Sequence, residues 1–274
     1  MDLTLGLVTD LHFGPEARFA GKLRKLTAQA GELARAFVAR MNDAVKPDLV
    51  VNLGDDIEDE SREVDLARYA EAVGVLRGCR AELVNVAGNH DLINLGADDL
   101  LSAWGRPPGS PLCSSFDRGG WHFVVLHTRE RKDHDVSVGD DQLAWLAGDL
   151  AQNPGPTIAL MHHSAADQDL TGNRWFEGSP HLCLVRERRR LRGLFEQHGD
   201  VRAVFNGHLH WNHLDVVRGI PYVTLQSMIE NLDEDAPGRA AAAHAVARLS
   251  KGRIVVEIEG AERARYQFDH RERG

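Results

Sequence analysis

Short apolar runs alternate with longer amphipathic segments in the first third of the chain. The runs at 3–9, 48–53 and 81–87 have the length and composition of buried strands. Between the first two runs, apolar residues recur every three or four positions over 23–41, which predicts an amphipathic helix. A second helix is predicted over 61–77. This succession of strands and helices favours right-handed parallel βαβ units.

The rest of the chain is richer in strands. Apolar runs predict six more of them, at 121–128, 156–162, 201–206, 220–227, 243–250 and 252–260. Helical patterns near 139–152 and 183–198 lie between these runs. The last two runs predict a hairpin at the edge of a sheet. The free edge of such a hairpin could pair with a second copy of the chain, as in a homo-oligomer.

We therefore expect an α/β fold of one domain over 1–274, with two packed sheets and the helices outside them. The polar segments 163–181 and 229–239 are expected to be loops on the substrate side, because long loops in compact domains often carry function. Residues 261–274 are expected to form a C-terminal tail. Other polar segments predict loops at 13–21, 92–111 and 129–138.

Composition narrows the classes of function. Of the 274 residues, 43% are hydrophobic and 27% are charged, as in an ordinary soluble globular protein. The 32 basic residues against 41 acidic ones give a net charge of −9, which disfavours nucleic acids and anionic membranes as partners. The one strongly basic run, 186–190, has apolar neighbours at helical spacing, so we interpret it as the solvated face of a helix.

The cysteines and the N-terminal segment indicate a cellular compartment. Cys79, Cys113 and Cys183 are widely separated and form no C-x-x-C pair, which favours a reducing environment. The first apolar run has no basic region before it, and no uninterrupted apolar run is long enough to span a bilayer. We therefore expect a cytoplasmic protein that makes no membrane contact.

Five of the predicted strands end in side chains that can bind a metal ion. In chain order these side chains are Asp10 and His12, Asp55, Asn89, His162, and His208 and His210. Ligands of α/β folds bind beyond the carboxyl ends of parallel strands, so we expect these groups to meet there. They offer oxygen and nitrogen but no thiolate, which suits a catalytic site for Mn, Fe, Zn or Co. Because seven ligands exceed what one ion usually takes, we expect two ions bridged by the Asp55 carboxylate.

The order of these residues resembles that of the calcineurin-like metallophosphoesterases. The matching segments are D-x-H at Asp10 and His12, G-D at Gly54 and Asp55, G-N-H-D over 88–91, His162, and G-H-x-H over 207–210. The resemblance implies a four-layer α/β/β/α sandwich of two mixed sheets, with a dimetal site at the carboxyl ends of the strands. It also implies that one ion is held by Asp10, His12, Asp55 and His210, and the other by Asp55, Asn89, His162 and His208.

The resemblance further implies a reaction. His90 matches the family's histidine that approaches the phosphate or the leaving group, and Asp91 would orient it. The two ions would activate a bridging hydroxide for in-line attack on a phosphodiester. Chain length and the early D-L-H-F-G segment resemble the class III cyclic-nucleotide and glycerophosphodiester phosphodiesterases. A phosphomonoesterase or a nucleotide pyrophosphatase with the same metal site is the alternative, and a non-catalytic scaffold is a more distant one.

Polar and aromatic residues near these motifs are candidates for contacts with a small phosphorylated substrate. Asn89 could contact it from its ligand position. The other candidates are Phe13 and Arg18, which follow the first motif, and Asn173, Arg174 and Trp175, which lie in the 163–181 loop. We choose His162 over the adjacent His163 as the ligand, because the family pattern favours the first histidine of the pair. Asp56 and His213 are interpreted as groups that support the ligands or face solvent.

Overall fold

The computed structural model describes residues 2–16, 18–131 and 134–270 of the chain. This part forms five α-helices: α1 (Ala30–Arg40), α2 (Arg62–Leu76), α3 (Ala97–Trp104), α4 (Asp140–Gln152) and α5 (Arg188–His198). It also forms fourteen strands: β1 (Leu3–Val8), β2 (Leu49–Asn52), β3 (Glu82–Asn85), β4 (Ser114–Arg118), β5 (Trp121–Val125), β6 (Arg129–Arg131), β7 (Asp135–Ser137), β8 (Thr157–Leu160), β9 (Val201–Asn206), β10 (His213–Val217), β11 (Ile220–Thr224), β12 (His244–Ser250), β13 (Arg253–Glu259) and β14 (Ala264–Asp269). None of the helices in these ranges is both long and apolar enough to cross a membrane.

Twelve of the strands form two six-stranded sheets. The first sheet has the order β14-β13-β12-β1-β2-β3, and the second has the order β10-β11-β9-β8-β5-β4. In the first sheet β1, β2 and β3 are parallel, and in the second β5, β8, β9 and β11 are parallel. The remaining strands pair antiparallel, so both sheets are mixed. The hairpin β6–β7 lies outside both sheets.

Three layers of apolar side chains hold the sheets and helices together. Leu5 and Phe205 belong to the layer between the two sheets. Phe37 of α1 lies in the layer that packs α1 and α2 on the outer face of the first sheet. Leu146 and Phe195, from α4 and α5, pack on the outer face of the second sheet. The expected four-layer α/β/β/α sandwich is confirmed.

The predicted elements are present, and the structure adds several short ones. Each of the nine predicted strands and four predicted helices is found, with shifted ends in all but the strand at 201–206. Helix α3 lies inside the segment 92–111 that was expected to be a loop, and β6 and β7 lie inside 129–138. These elements have eight and three residues, which is too short to produce a clear hydrophobic period. Strands β4 and β10 were missed because each has only five residues and contains polar and charged residues among the apolar ones.

The segment 261–274 is not a tail over its whole length, which corrects the expectation. Its residues 264–269 form β14, which pairs antiparallel with β13 and is an edge of the first sheet. Tyr266 and Phe268 pack against the layer between the sheets, while the residues that alternate with them are exposed. The hairpin β12–β13 therefore lies inside the sheet rather than at its edge. Residues 271–274 lie outside the described residues.

Candidate metal centre and active site

The parallel strands of both sheets deliver polar side chains to one place. Asp10 and His12 follow β1, Asp55 follows β2, and Asn89 follows β3. From the second sheet, His162 follows β8, and His208 and His210 follow β9. All of these side chains are buried except that of Asn89, which is half-buried. The structure therefore brings together all seven residues that the sequence predicts as ligands.

A first cluster is formed by Asp10, His12 and His210. The Nε2 atoms of His12 and His210 lie 3.2 Å apart, and Nε2 of His210 lies 3.4 Å from Oδ1 of Asp10. This Asp10 oxygen is buried and has no hydrogen-bond partner in the described part of the chain. Two ring nitrogens that face each other beside an unpartnered carboxylate oxygen fit a bound cation, which would satisfy all three atoms.

A second cluster shares Asp55 with the first. Oδ2 of Asp55 lies 3.3 Å from Nε2 of His162 and 3.8 Å from Nε2 of His12. Oδ1 of Asn89 lies 3.1 Å from the same His162 nitrogen. The His208 ring lies 5.1 Å from that of His162, measured between centroids. The Asp55 carboxylate is therefore the group placed to contact ions in both clusters.

Hydrogen bonds on the far side of each imidazole orient its ligand nitrogen. Nδ1 of His210 lies 2.8 Å from Oε2 of Glu230, and Nδ1 of His12 lies 3.0 Å from Oε2 of Glu58. Two further histidines donate to backbone carbonyls: His162 from Nδ1 to Leu53, at 2.8 Å, and His208 from Nε2 to Leu182, at 3.2 Å. These partners leave Nε2 of the first three histidines and Nδ1 of His208 free to bind metal. Such outer hydrogen bonds are typical of metal-ligating histidines.

The backbone at these strand ends is strained. Five of the nine non-glycine residues with positive φ in the described ranges are candidate ligands: Asp10 (51°), His12 (44°), Asp55 (58°), His208 (66°) and His210 (55°). Left-handed backbone costs an L-residue about 1 kcal/mol or more. Aspartate and histidine adopt it more readily than most residues. The strain therefore turns each side chain from the end of its strand into the site, and the surrounding structure must hold it there.

The carboxylates attract positive charge into the site. Burial alone would lower the pKa of His162 and His210, but Asp55 raises the first to about 10, and Asp10 with Glu230 raises the second to about 9. Burial and the nearby Lys25 ammonium lower the pKa of His12 to about 4, so this ring is neutral. A neutral imidazole is the form that binds a metal.

The two predicted catalytic residues lie in different surroundings. His90 lies beside the first cluster, with its ring 4.9 Å from that of His12, and its Nδ1 is 2.6 Å from Oδ1 of Asp59. Asp91 was expected to orient His90, but it is fully buried and accepts hydrogen bonds from the backbone of Asp55, Asp56 and Gly88. Asp59 is therefore the residue that orients His90. Asp91 instead fixes the loops that carry the ligands.

A cleft of about 830 Å³ opens onto the two clusters. Arg18, Asn89 and Trp175 line it, as expected for residues that contact substrate. Phe13 and Asn173, which were also expected to contact substrate, do not line it. Phe13 is buried in the layer under α1, and the Asn173 side chain donates to the Leu209 carbonyl and accepts from the backbone amides of Trp175 and Phe176.

Arg174 is the third candidate that the structure places elsewhere. Its guanidinium faces away from the cleft and donates to the backbone carbonyls of Asn231 and Asp233, at 2.7 and 3.0 Å. It therefore ties the 163–181 loop to the 229–239 loop. Of these two segments, the first reaches the cleft through Trp175 and Phe176.

The remaining polar neighbours lie around the site. Nδ1 of His163 lies 2.7 Å from Oγ1 of Thr128, while its Nε2 is buried without a partner in the described part of the chain and its ring lies 4.0 Å from that of His208, so His163 adjoins the second cluster. Asp56 accepts from Asn52. His213 stacks on Trp211, away from both clusters. Sequence reasoning missed four residues that contact the ligands or His90: Lys25, Glu58, Asp59 and Glu230. Only Glu58 and Asp59 have a usable sequence signal, because they lie three and four residues after Asp55, whereas nothing local marks Lys25 or Glu230.

Known proteins are similar to this chain in sequence and in fold. A family model described as calcineurin-like phosphoesterase matches residues 3–212. The chain is 29% identical over 221 residues to a probable cyclic nucleotide phosphodiesterase from Synechococcus sp., covering 77% of this chain and 74% of that protein. It is 31% identical over 228 residues to a cAMP/cGMP dual specificity phosphodiesterase from Mycobacterium tuberculosis, covering 80% of this chain and 65% of that relative.

The fold comparison agrees with these matches. A dimetal phosphatase from Danio rerio superposes with a TM-score of 0.75 at 20% identity, covering 97% of this chain and 98% of that one. At 20% identity the superposition supports the fold alone. The match of the family model to residues 3–212 supports membership of the family. The chain belongs to the calcineurin-like phosphoesterase family.

Proposed function

We propose that the protein is a dinuclear metal-dependent phosphodiesterase that hydrolyses a small phosphodiester, with a 3′,5′-cyclic nucleotide as the first candidate. The observation that carries the proposal is the position of Asp55 between two ligand clusters, next to the unpartnered oxygen of Asp10. The cyclic nucleotide phosphodiesterases among its relatives support the choice of substrate. A non-catalytic scaffold is disfavoured, because a complete ligand set and His90 are both present.

The ligand sets follow from the clusters. Asp10, His12, Asp55 and His210 would hold one ion, and Asp55, Asn89, His162 and His208 would hold the other. Their oxygen and nitrogen donors suit Mn, Fe, Zn or Co. When bound, such ions lower the pKa of a water at the site and neutralise charge on phosphoryl oxygens.

The chain's own contribution to the reaction is a positioned acid. The hydrogen bond to Asp59 holds Nδ1 of His90 and leaves Nε2 as the nitrogen available to a leaving group. Burial lowers the pKa of His90, but the charge of Asp55 and the Asp59 hydrogen bond outweigh it, so the pKa rises overall. A protonated His90 can donate to the alkoxide that departs from phosphorus.

An apolar wall of the cleft fits the organic part of a nucleotide. The Phe19 and Trp175 rings lie 5.0 Å apart, and Phe19 is 55% exposed. Ile93, which also lines the cleft, is 43% exposed. Exposed apolar side chains beside a polar centre are typical of a surface that a flat ring covers.

A nucleotide pyrophosphatase is the second candidate. Three arginines line the cleft: Arg18, Arg24 and Arg129. Guanidinium groups are suited to phosphate, so they could bind the additional phosphate of a nucleotide diphosphate ester.

The decisive experiment compares substrates on protein reconstituted with Mn²⁺. Adenosine 3′,5′-cyclic monophosphate, bis(p-nitrophenyl) phosphate, p-nitrophenyl phosphate and a nucleotide diphosphate ester are assayed with and without chelator. We expect chelator-sensitive cleavage of the two diesters at a higher kcat/KM than that of the monoester. Preference for the monoester or for the diphosphate ester would replace the phosphodiesterase proposal, and no cleavage of any ester would refute it.

The ligand assignment has its own test in His208→Ala. Because the second cluster then lacks one of its two imidazoles from the second sheet, we expect the bound metal to fall from two ions per chain towards one, with activity lost and the fold kept. His213→Ala is the matched control, since His213 lies five residues further along the same segment and outside both clusters. Metal content is measured by mass spectrometry and folding by circular dichroism. Unchanged metal content in the first variant would contradict the assignment.

A further inference from the structure

A buried lysine lies beside the first cluster. The Lys25 residue is 7% exposed, yet it is one of the residues that line the cleft. Its Nζ lies 2.8 Å from Oε2 of Glu58 and 5.4 Å from the centre of the Trp175 ring. Buried lysines are rare unless they are paired, and this one has a single carboxylate as its partner.

The hydrogen bonds around Lys25 leave donors unused. In the proposed site Nε2 of His12 binds an ion, so the proton of this ring would be on Nδ1, which would donate to Glu58 over 3.0 Å. Nδ1 would then not accept from Lys25, whose Nζ is 3.4 Å away. An ammonium has three N–H donors, and Glu58 accepts one of them. The other two have no acceptor within the described part of the chain.

The charge balance points the same way. Glu58 is shared between His12 and Lys25, because its Oε2 lies 3.0 Å from Nδ1 of His12 and 2.8 Å from Nζ of Lys25. Its carboxylate oxygen therefore already has two partners, His12 and Lys25. A fixed ammonium next to a site for two cations is unfavourable unless an anion enters the space between them.

We propose that Lys25 binds an anionic oxygen of the phosphoester, acting as a third positive group beside the two proposed ions. The inference rests on the proposed function for the identity of the anion. Lys25 differs from Arg18 and Arg129 in burial, because these two arginines line the same cleft but are exposed. A buried ammonium is screened less by solvent than an exposed guanidinium, so it contributes more to anion binding.

The test measures binding of inorganic phosphate, by titration calorimetry, to the metal-loaded protein. We expect Lys25→Met to weaken phosphate binding by roughly tenfold or more, because a charge-assisted hydrogen bond is lost. Lys25→Arg should retain affinity within about threefold, since the positive charge and its donors remain. Lys22→Met is the matched control: Lys22 lies three residues earlier, is exposed, pairs with Glu234 and does not line the cleft. An affinity of Lys25→Met equal to that of the control would overturn the proposal.

A second pair of variants covers the case in which Lys25→Met does not fold because Glu58 is left unpaired. Glu58→Gln alone removes one charge and keeps an acceptor for His12, and Lys25→Met with Glu58→Gln removes both charges. We expect the double variant to bind phosphate roughly tenfold more weakly than Glu58→Gln. Equal affinities in this pair would show that Lys25 serves only to neutralise Glu58.

The two proposals fail in different ways. If the wild-type protein binds phosphate but hydrolyses no ester, the proposed function is wrong, and the comparison of Lys25 variants still decides the role of the lysine. If the wild-type protein hydrolyses a diester and Lys25→Met binds phosphate as the wild type does, the proposed function stands and the role of Lys25 is refuted.

Discussion

At the scale of single residues, the candidate site depends on pairs of side chains whose contacts a sequence pattern does not reveal. The seven candidate ligands could be predicted because each directly follows an apolar run, in an order shared with a known family. Their partners could not. Glu230 meets His210, and Lys25 meets Glu58, only in the folded chain, and nothing in the local sequence marks Glu230 or Lys25. Asp91 was expected to orient His90 because it is the next residue, but its side chain accepts from backbone amides and Asp59 contacts His90 instead.

The pair of His90 and Asp59 gives a prediction about leaving groups. Asp59→Asn removes the negative charge that supports a protonated His90, so we expect kcat for a cyclic nucleotide to fall by about tenfold to a hundredfold. For a p-nitrophenyl ester the fall should be much smaller, because p-nitrophenolate departs without protonation. Steady-state kinetics on both substrates checks this at unchanged metal content. Asp43→Asn, at an exposed position, is the control, and an equal fall on both substrates would count against the acid role of His90.

At the scale of elements, the strand ends matter more than the strands. Periodicity predicted the parallel strands well, because each is a short, nearly continuous apolar run between polar segments. It failed for β14, a six-residue strand in which polar residues alternate with apolar ones, and for the short helix α3. It also could not show how closely the ends of β1 and β9 approach each other. At Gly207 an added Cβ would lie 1.9 Å from Oγ1 of Thr9 and 2.5 Å from Oδ2 of Asp10.

This close approach predicts the effect of Gly207→Ala. Thr9 is fully buried and cannot move aside, so we expect the free energy of unfolding to fall by about 2–3 kcal/mol through overpacking. The backbone N–H of His208, which now donates to Asp10 over 3.0 Å, would shift with it and weaken metal binding. Urea denaturation and metal analysis measure the two effects. Gly193→Ala in α5 is the control, because nothing lies within 4 Å of the added Cβ, and alanine there should be neutral or stabilising by up to about 1 kcal/mol. Similar stabilities for the two variants would contradict the packing argument.

At the scale of the whole molecule, the proposed metal centre joins the two sheets. Asp10, His12, Asp55 and Asn89 belong to the first sheet, and His162, His208 and His210 belong to the second. Each proposed ion therefore has ligands from both sheets. An ion that binds only this arrangement stabilises the packed sandwich against unfolding.

Removing the metal should accordingly lower the melting temperature. At a free metal concentration a thousandfold above Kd, each site adds about 4 kcal/mol to the free energy of unfolding. For a domain of this size, 1 kcal/mol corresponds to about 2–4 °C in Tm, so we expect chelation to lower Tm by several degrees or more. Differential scanning calorimetry with EDTA, and with calcium-saturated EDTA as the control, measures the shift. An unchanged Tm after verified loss of metal would mean that the ions do not connect the sheets.

The division of ligands between the sheets also has a consequence for biosynthesis. A growing chain exposes Asp10 and His12 long before His208 and His210 have been made, and β1 lacks its neighbour β12 until residue 250 has been added. Neither proposed site can be completed before these two histidines have been made. Because one proposed ion needs His210 and the other needs His208, loading of both ions would follow synthesis of at least the first 210 residues, and shorter chains would not complete the two sites.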